Sequence, residues 1–286
     1  MARRVVRIGL VIGGAIVLFA ALIGAEVAWT LSREYVEVPD FDVRVTIGEE
    51  FEGEPLRMVI VGDSTTRGLG VERVEQTLGA QVAMKVAESI GRPVELHGYG
   101  VSGAVSADVP DQLREVASRD VDVIVVEVGS NDVTHRTSLG DVDRHTERLL
   151  RAAKDRSEIV VLGSAGRLNS PNFPQPLRWI VMQRANAVRD RQRAVARRLD
   201  VPFMDVKRDV SPAYDAAGRS ANSRDLFHPS AEGYEIWARP LAKLVVAQLS
   251  DSRRLNKPRA RVDGPHDGPA PSHRQSRAPR GSVYPD

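Results

Sequence analysis

Met58-Val59-Ile60-Val61-Gly62-Asp63-Ser64-Thr65-Thr66 decides the fold of this chain. An apolar, β-branched run with no alternation leads into a glycine and then small polar residues. Such a run is expected of a strand buried on both faces, in a parallel sheet that helices cover on either side. The glycine lets the chain turn sharply, and the serine then stands at a strand-to-loop junction near a helix N-terminus. Working outward, further β-branched runs occur at Val94–Leu96, Val121–Val128, Ile159–Leu162 and Val201–Val206. Helical patterns lie between them at Glu75–Ile90, Asp108–Ser118, Val142–Lys154 and Leu177–Leu199, with a last one at Ala231–Leu249. Strands that alternate with helices imply crossover units. The fold class is therefore α/β: a three-layer α/β/α sandwich around a central parallel five-stranded sheet, over residues 56–250.

The N-terminus reads Arg3-Arg4-Val5-Val6-Arg7, followed by 18 uncharged residues from Ile8 to Ala25. A hydrocarbon core about 30 Å thick needs about 20 helical residues. Residues 1–31 are thus expected to be a basic cytoplasmic tip and one transmembrane signal-anchor helix. A cleaved secretory signal is the competing reading, but Ile23-Gly24-Ala25 has a large residue where a small one is usual. The arginines precede the span, and Glu26, Glu34, Glu37 and Asp40 follow it. The positive-inside rule then places the N-terminus in the cytoplasm and the remainder outside. Residues 32–55 are polar and mixed and read as a linker.

The formal charge of +2 is unevenly spread: residues 251–286 hold eight Lys/Arg against four Asp/Glu, together with six prolines. With almost no large apolar residues, this tail is expected to be disordered. No basic stripe with interleaved aromatics appears, so nucleic acid is not an expected partner. There is no cysteine, which excludes disulfides and Cys-based metal sites.

Open parallel sheets bind ligands beyond the carboxyl ends of their strands, at a topological switch point. Four segments with chemical potential fall in such places. Gly62-Asp63-Ser64 offers a hydroxyl. Tyr99-Gly100-Val101-Ser102-Gly103 offers backbone N–H groups, and Val128-Gly129-Ser130-Asn131-Asp132 offers a side-chain amide. Asp225-Leu226-Phe227-His228-Pro229 offers a base with a carboxylate three residues before it. A serine hydroxyl is a poor nucleophile until a base takes its proton, and that base needs an orienting acceptor. Pro229 keeps His228 out of a helix interior. Each segment alone is common turn chemistry. Together, at one edge of one sheet, they are much harder to explain by turns alone.

At these four blocks the chain resembles the SGNH (GDSL-type) hydrolases. Gly62-Asp63-Ser64 is similar to the family's nucleophile block, and Gly103 falls at its oxyanion-hole glycine. Gly129-Ser130-Asn131-Asp132 is similar to its Gly-x-Asn-Asp block. Asp225-x-x-His228, with Pro229 and the later Gly233-Tyr234, is similar to its terminal block. Ser64-Thr65-Thr66-Arg67-Gly68-Leu69-Gly70 is similar to membrane-anchored actinobacterial members. The resemblance implies a flavodoxin-like fold and hydrolysis of carboxylic esters or thioesters without a cofactor or metal. It also implies a triad of Ser64, His228 and Asp225 and an oxyanion hole of Ser64, Gly103 and Asn131. One departure is Gly98, where members often carry Asn five residues before the block-two glycine.

Other readings fit less well. The general α/β-hydrolase elbow is Gly-x-Ser-x-Gly with Asp and His on separate loops, whereas Thr66 stands in place of its second glycine. His97, His135, His145, His266 and His273 form no pair at ligand spacing with a carboxylate-rich partner. His135 reads as a surface residue, with a pocket-lining role as the alternative, and residues 165–176, with Phe173 among three prolines, read either as a rigid connecting loop or as a wall or lid. The Arg-rich helix Gln183–Arg198 reads as a solvated amphipathic helix. An acyltransferase acting on envelope glycans or lipids with the same triad, and a catalytically silent tethered binding protein, remain as alternatives. A small-molecule, lipid or glycan ester is the expected substrate class; chain length and oligomeric state are left open.

Overall fold

The computed structural model describes residues 2–116, 121–166 and 168–251. Its six strands are β1 (Arg44–Ile47), β2 (Leu56–Gly62), β3 (Val94–Gly98), β4 (Val123–Glu127), β5 (Ile159–Gly163) and β6 (Phe203–Met204). They form one sheet in the order β1-β3-β2-β4-β5-β6. All neighbours pair parallel except β1, which runs antiparallel to β3 in the register Arg44 to His97 through Ile47 to Val94. The five parallel strands are those expected from the β-branched runs, within a few residues at each end.

The sixth strand corrects the five-stranded expectation and gives part of the 32–55 segment a place in the sheet. Arg44-Val45-Thr46-Ile47 alternates polar with apolar residues as an edge strand does, but at four residues among polar neighbours it is too short to stand out from a connector. It covers the open edge of β3. Gly98 explains itself here: its N–H donates to the Val43 carbonyl at 2.7 Å. A Cβ at residue 98 would lie 2.6 Å from the Val43 Cβ. Asn does not fit where this added strand crosses so closely.

The helices are α1 (Ala2–Leu31), α2 (Ser64–Arg67), α3 (Leu78–Ile90), α4 (Val109–Glu115), α5 (Ser130–Thr134), α6 (Leu139–Lys154), α7 (Leu177–Arg198), α8 (Ser211–Ala217) and α9 (Ala231–Asp251). Local chemistry sets their starts. Thr77 accepts the Ala80 N–H at the head of α3, and Ser138 accepts the Asp141 N–H at the head of α6. Alternate residues of β2 serve the two layers. Met58 and Ile60 pack with α3 and α9 through Leu78, Val82, Leu241 and Val245. Val59 and Val61 pack with α4, α6 and α7 through Leu113, Leu149, Leu150 and Val195. A third cluster holds Val133, Val142, Phe173, Leu177, Ala185 and Val188, with Ile23 of α1 packed against it.

Helix α1 from Val6 to Leu31 is long and apolar enough to cross a membrane. The segment Val206–Val210, whose first residue reads as the end of a strand, is a π-helical turn leading into α8. The tail expected to be disordered lies, from residue 252 onward, outside the described residues.

Candidate active site

After the edge strand β1, the first parallel strand, β2, lies inside the sheet; the chain steps from it to β3 on one side and returns to β4 on the other. The switch point is therefore around the carboxyl end of β2. The Ser64, Gly103 and Asn131 loops follow β2, β3 and β4 and meet there.

The Gly62-Asp63-Ser64 turn is over-determined. Gly62 has φ +147°, and a Cβ at this position would lie 1.8 Å from the Glu127 carbonyl oxygen, so only glycine fits. The Gln112 side chain grips both Gly62 backbone groups, accepting from its N–H and donating to its carbonyl at 2.8 Å each. Asp63 caps α2 by accepting the Thr65 N–H at 3.0 Å. Ser64 is the first residue of that helix, where a backbone N–H has no intrahelical acceptor.

His228 Nε2 lies 3.2 Å from Ser64 Oγ, and its Nδ1 lies 2.7 Å from Asp225 Oδ2. Both His228 and Asp225 are 7% exposed. Asp225 Oδ1 also accepts from Ser223 Oγ at 2.7 Å and from the Phe227 and His228 N–H groups at 2.9 Å each. Oδ2 accepts the Val36 N–H at 3.1 Å. Burial pushes the Asp225 carboxyl up, but the hydrogen bonds from His228, Ser223 and the loop backbone outweigh it and hold it well below the usual carboxylate range. An ionised Oδ2 only accepts, so Nδ1 carries the imidazole proton and Nε2 offers its lone pair to Ser64. Leu226 completes this tight loop at φ +57°, uncommon for a branched residue. The loop is pinned from outside by Asn172 Nδ2 donating to the Asp225 carbonyl and Ser170 Oγ donating to that of Leu226, both at 2.7 Å.

The second and third loops are locked together. Asp132 is buried and accepts the Ser106 N–H and hydroxyl at 2.8 Å each. One amide hydrogen of Asn131 goes to the Ala104 carbonyl at 2.9 Å, which leaves its second hydrogen to another acceptor. The Val101 N–H donates to the Gly62 carbonyl at 3.1 Å, tying the Gly103 loop to the Gly62-Asp63-Ser64 turn. Gly103 itself has φ +84° and open space around it.

Two acids lie beneath the turn. Burial pushes Asp63 up to about 6 against the pull of the Thr65 hydrogen bond. Burial and the Asp63 charge push Glu127 well above the carboxylate range. A cavity of about 140 Å³ flanks His228 and Thr65 and is lined also by Leu168, Phe227 and Trp237.

All five residues singled out in the sequence lie on these converging loops. His135 instead ends α5 and is exposed. Phe173 is buried and meets the Phe227 ring edge-on at 6.0 Å, so it contributes to the wall next to His228. Sequence reasoning missed Tyr35 and Val36. The Tyr35 ring stands 5.4 Å from Phe227 and 6.5 Å from His228. Arg67 donates to the carbonyls of Phe41 at 2.5 Å and Pro39 at 2.9 Å, fixing the far end of the same strap. No motif marks a backbone N–H donor, and Tyr35-Val36 has no distinguishing pattern in the mixed 32–55 stretch. Gln112 and Ser223 likewise act through ordinary hydrogen bonds that spacing does not reveal.

A doubly wound α/β domain with a hydroxyl, an imidazole and a carboxylate in series at its switch point is the class this architecture defines. Residues 60–236 match the GDSL-like Lipase/Acylhydrolase family, and the chain belongs to it. It is 27% identical over 186 residues to a GDSL-like esterase of Mycobacterium tuberculosis (strain ATCC 25618 / H37Rv), covering 64% of this chain. The chain spans 59% of that relative's length. Among solved structures, an alpha/beta hydrolase enzyme from the metagenome of Lake Arreo, Spain, superposes with a TM-score of 0.54 at 18% identity, over 66% of this chain and 94% of its own. The lipase/acylhydrolase from Enterococcus faecalis gives 0.51 at 21% identity, over 68% and 95%. Axe2, an acetylxylan esterase from Geobacillus stearothermophilus, gives 0.52 at 18% identity, over 68% and 95%. These structural likenesses show the fold alone.

Proposed function

We propose that this chain is a membrane-anchored, extracytoplasmic serine ester hydrolase. The supporting observation is the unbroken series Ser64 Oγ, His228 and Asp225 at 3.2 and 2.7 Å, at the switch point of a GDSL-family domain. Ser64 Oγ attacks the ester carbonyl carbon while His228 Nε2 takes its proton. Asp225 holds the tautomer and stabilises the imidazolium. The tetrahedral oxyanion is met by the Ser64 and Gly103 N–H groups and by the second amide hydrogen of Asn131. Collapse breaks the bond to the alcohol, which leaves with the proton from His228. Water, deprotonated by the same imidazole, then releases the acid and restores Ser64. The three arginines before the apolar span orient it with the domain outside.

The test is fluorophosphonate labelling of the full chain, with hydrolysis of p-nitrophenyl esters from acetyl to palmitoyl and Ser64→Ala as control. Labelling and turnover that Ser64→Ala abolishes are the expected result. A folded protein that neither labels nor turns over any ester overturns the reading.

A further inference from the structure

The strap and α1 tie the candidate site to the end of the apolar span, and that attachment has a direction. The uncharged stretch Ile8–Ala25 covers about 27 Å as helix, close to one hydrocarbon thickness. The next residue, Glu26, is 7% exposed, and its Oε2 accepts the Leu177 N–H at 2.8 Å, at the first turn of α7. One turn on, Thr30 Oγ1 donates to the Asn172 carbonyl at 2.9 Å. The domain thus sits directly on the emerging helix, at the level where hydrocarbon gives way to headgroups.

The exposed surface there is apolar. Trp29 and Leu31 on α1 are 44% and 60% exposed, and Trp179, Ile180 and Met182 on α7 are 59%, 37% and 36%. Along α7 this character is confined to the end that touches α1. Beyond Gln183 the exposed positions are Asp190, Arg191, Ala194, Arg197 and Arg198. The Arg33 guanidinium stacks 5.1 Å from the Trp29 ring, an aromatic and cationic pairing suited to the headgroup zone. From this face an aromatic series leads inward: Phe173 to Phe227 at 6.0 Å, then Phe227 to His228 at 5.0 Å, with Tyr35 against both Phe227 and His228.

We propose that Trp29 and Leu31 at the end of α1, with Trp179, Ile180 and Met182 at the start of α7, form one lipid-facing surface. It seats the domain on the bilayer that α1 crosses, and Ser64 takes acyl esters of amphiphiles presented by that bilayer. The occupant is the bilayer because the patch is continuous with the span itself. The substrate half of this inference rests on the ester-hydrolase reading above; the seating half does not.

The full chain in phosphatidylcholine–phosphatidylglycerol vesicles tests both halves. The emission of Trp179, taken as the difference between the chain and Trp179→Phe, is read in vesicles with and without brominated acyl chains. Quenching by the brominated lipid is expected, because interfacial side chains sit about 5–10 Å into the headgroup and acyl boundary. Equal emission in both vesicles overturns the seating. The second readout is the rate on a vesicle-borne acyl ester divided by the rate on soluble p-nitrophenyl acetate. Trp179→Ser/Ile180→Ser is expected to lower that ratio about tenfold or more through lost interfacial burial. An unchanged ratio overturns the substrate assignment. Loss of all turnover together with loss of Ser64 labelling in the unsubstituted chain fails the hydrolase reading instead, and the bromolipid result still decides the seating.

Discussion

Exchanging Asp225 for Asn changes one atom and keeps the side chain's shape. In the native loop both carboxylate oxygens face only donors: Ser223 Oγ and two backbone N–H groups on Oδ1, His228 Nδ1 and the Val36 N–H on Oδ2. An amide has one oxygen to offer. Turning it toward the Oδ1 side satisfies the larger set, and the NH₂ group then faces His228 Nδ1. The imidazole can accept that bond only by moving its proton to Nε2, which leaves no lone pair for the Ser64 hydroxyl. The same exchange in a serine-protease triad lowers kcat on the order of 10⁴-fold, about 5 kcal/mol of barrier. The Val36 N–H is also left facing a donor, which costs about 1–3 kcal/mol of stability. Steady-state hydrolysis of p-nitrophenyl acetate, with circular dichroism to verify folding, measures the first effect, and a urea melt in mild detergent measures the second. A folded Asp225→Asn protein with kcat within about tenfold of the parent refutes the assignment of Asp225 as the group that holds the tautomer.

Three further outcomes are expected. Asn131→Ala removes one oxyanion donor worth about 2.7–4 kcal/mol, so kcat should fall roughly 100-fold or more in a folded domain; an unchanged kcat removes Asn131 from the mechanism. Val36→Pro deletes the N–H that reaches Asp225, and a hydrogen bond to a charged group contributes about 1.5–3 kcal/mol, a loss in urea stability that Val36→Ala should not share. Asp63 is raised from 3.8 to about 6, so the folded chain holds its proton longer than the unfolded one and stability must decline as pH rises between those values. The contribution is about 3 kcal/mol, and Asp63→Asn should flatten that decline in urea melts from pH 4 to 7.

Much of the fold was legible because it depends on period and burial. Uninterrupted runs such as Val123–Glu127 and Ile159–Gly163 are fully buried strands, and nothing in their sequence competes with that reading. The site was legible for a different reason: Gly62, Gly103 and Gly129 mark backbone shapes that few other residues adopt, and functional side chains follow or lie close to them. Residues 32–55 were harder to read. Four residues of β1 carry too little pattern to outweigh their polar surroundings, and they are a strand because β3 has an open edge to pair with. Likewise Val36 matters through its backbone, and Gln112 and Asn172 through partners 50 and 53 positions away in the chain. Such roles arise only when the fold brings distant segments together.

Asp63 and Asp225 lie near the same serine, Ser64, and their ionisation is pulled apart by their surroundings. Asp225 receives five donors and is held ionised, while buried Asp63 has the Thr65 N–H and is pushed toward neutrality. The difference puts the more firmly held anion on the imidazole's side of Ser64. Burial pushes Glu127, at the end of β4, up as well. One of the five donors, Val36, comes from the strap that begins at the end of α1. The carboxylate paired with His228 is therefore completed by the segment that follows α1. In the proposed reading, anchoring and catalysis share that hydrogen bond, and cutting the chain ahead of Val36 releases the domain with the bond intact, whereas cutting behind it removes a donor from the catalytic carboxylate.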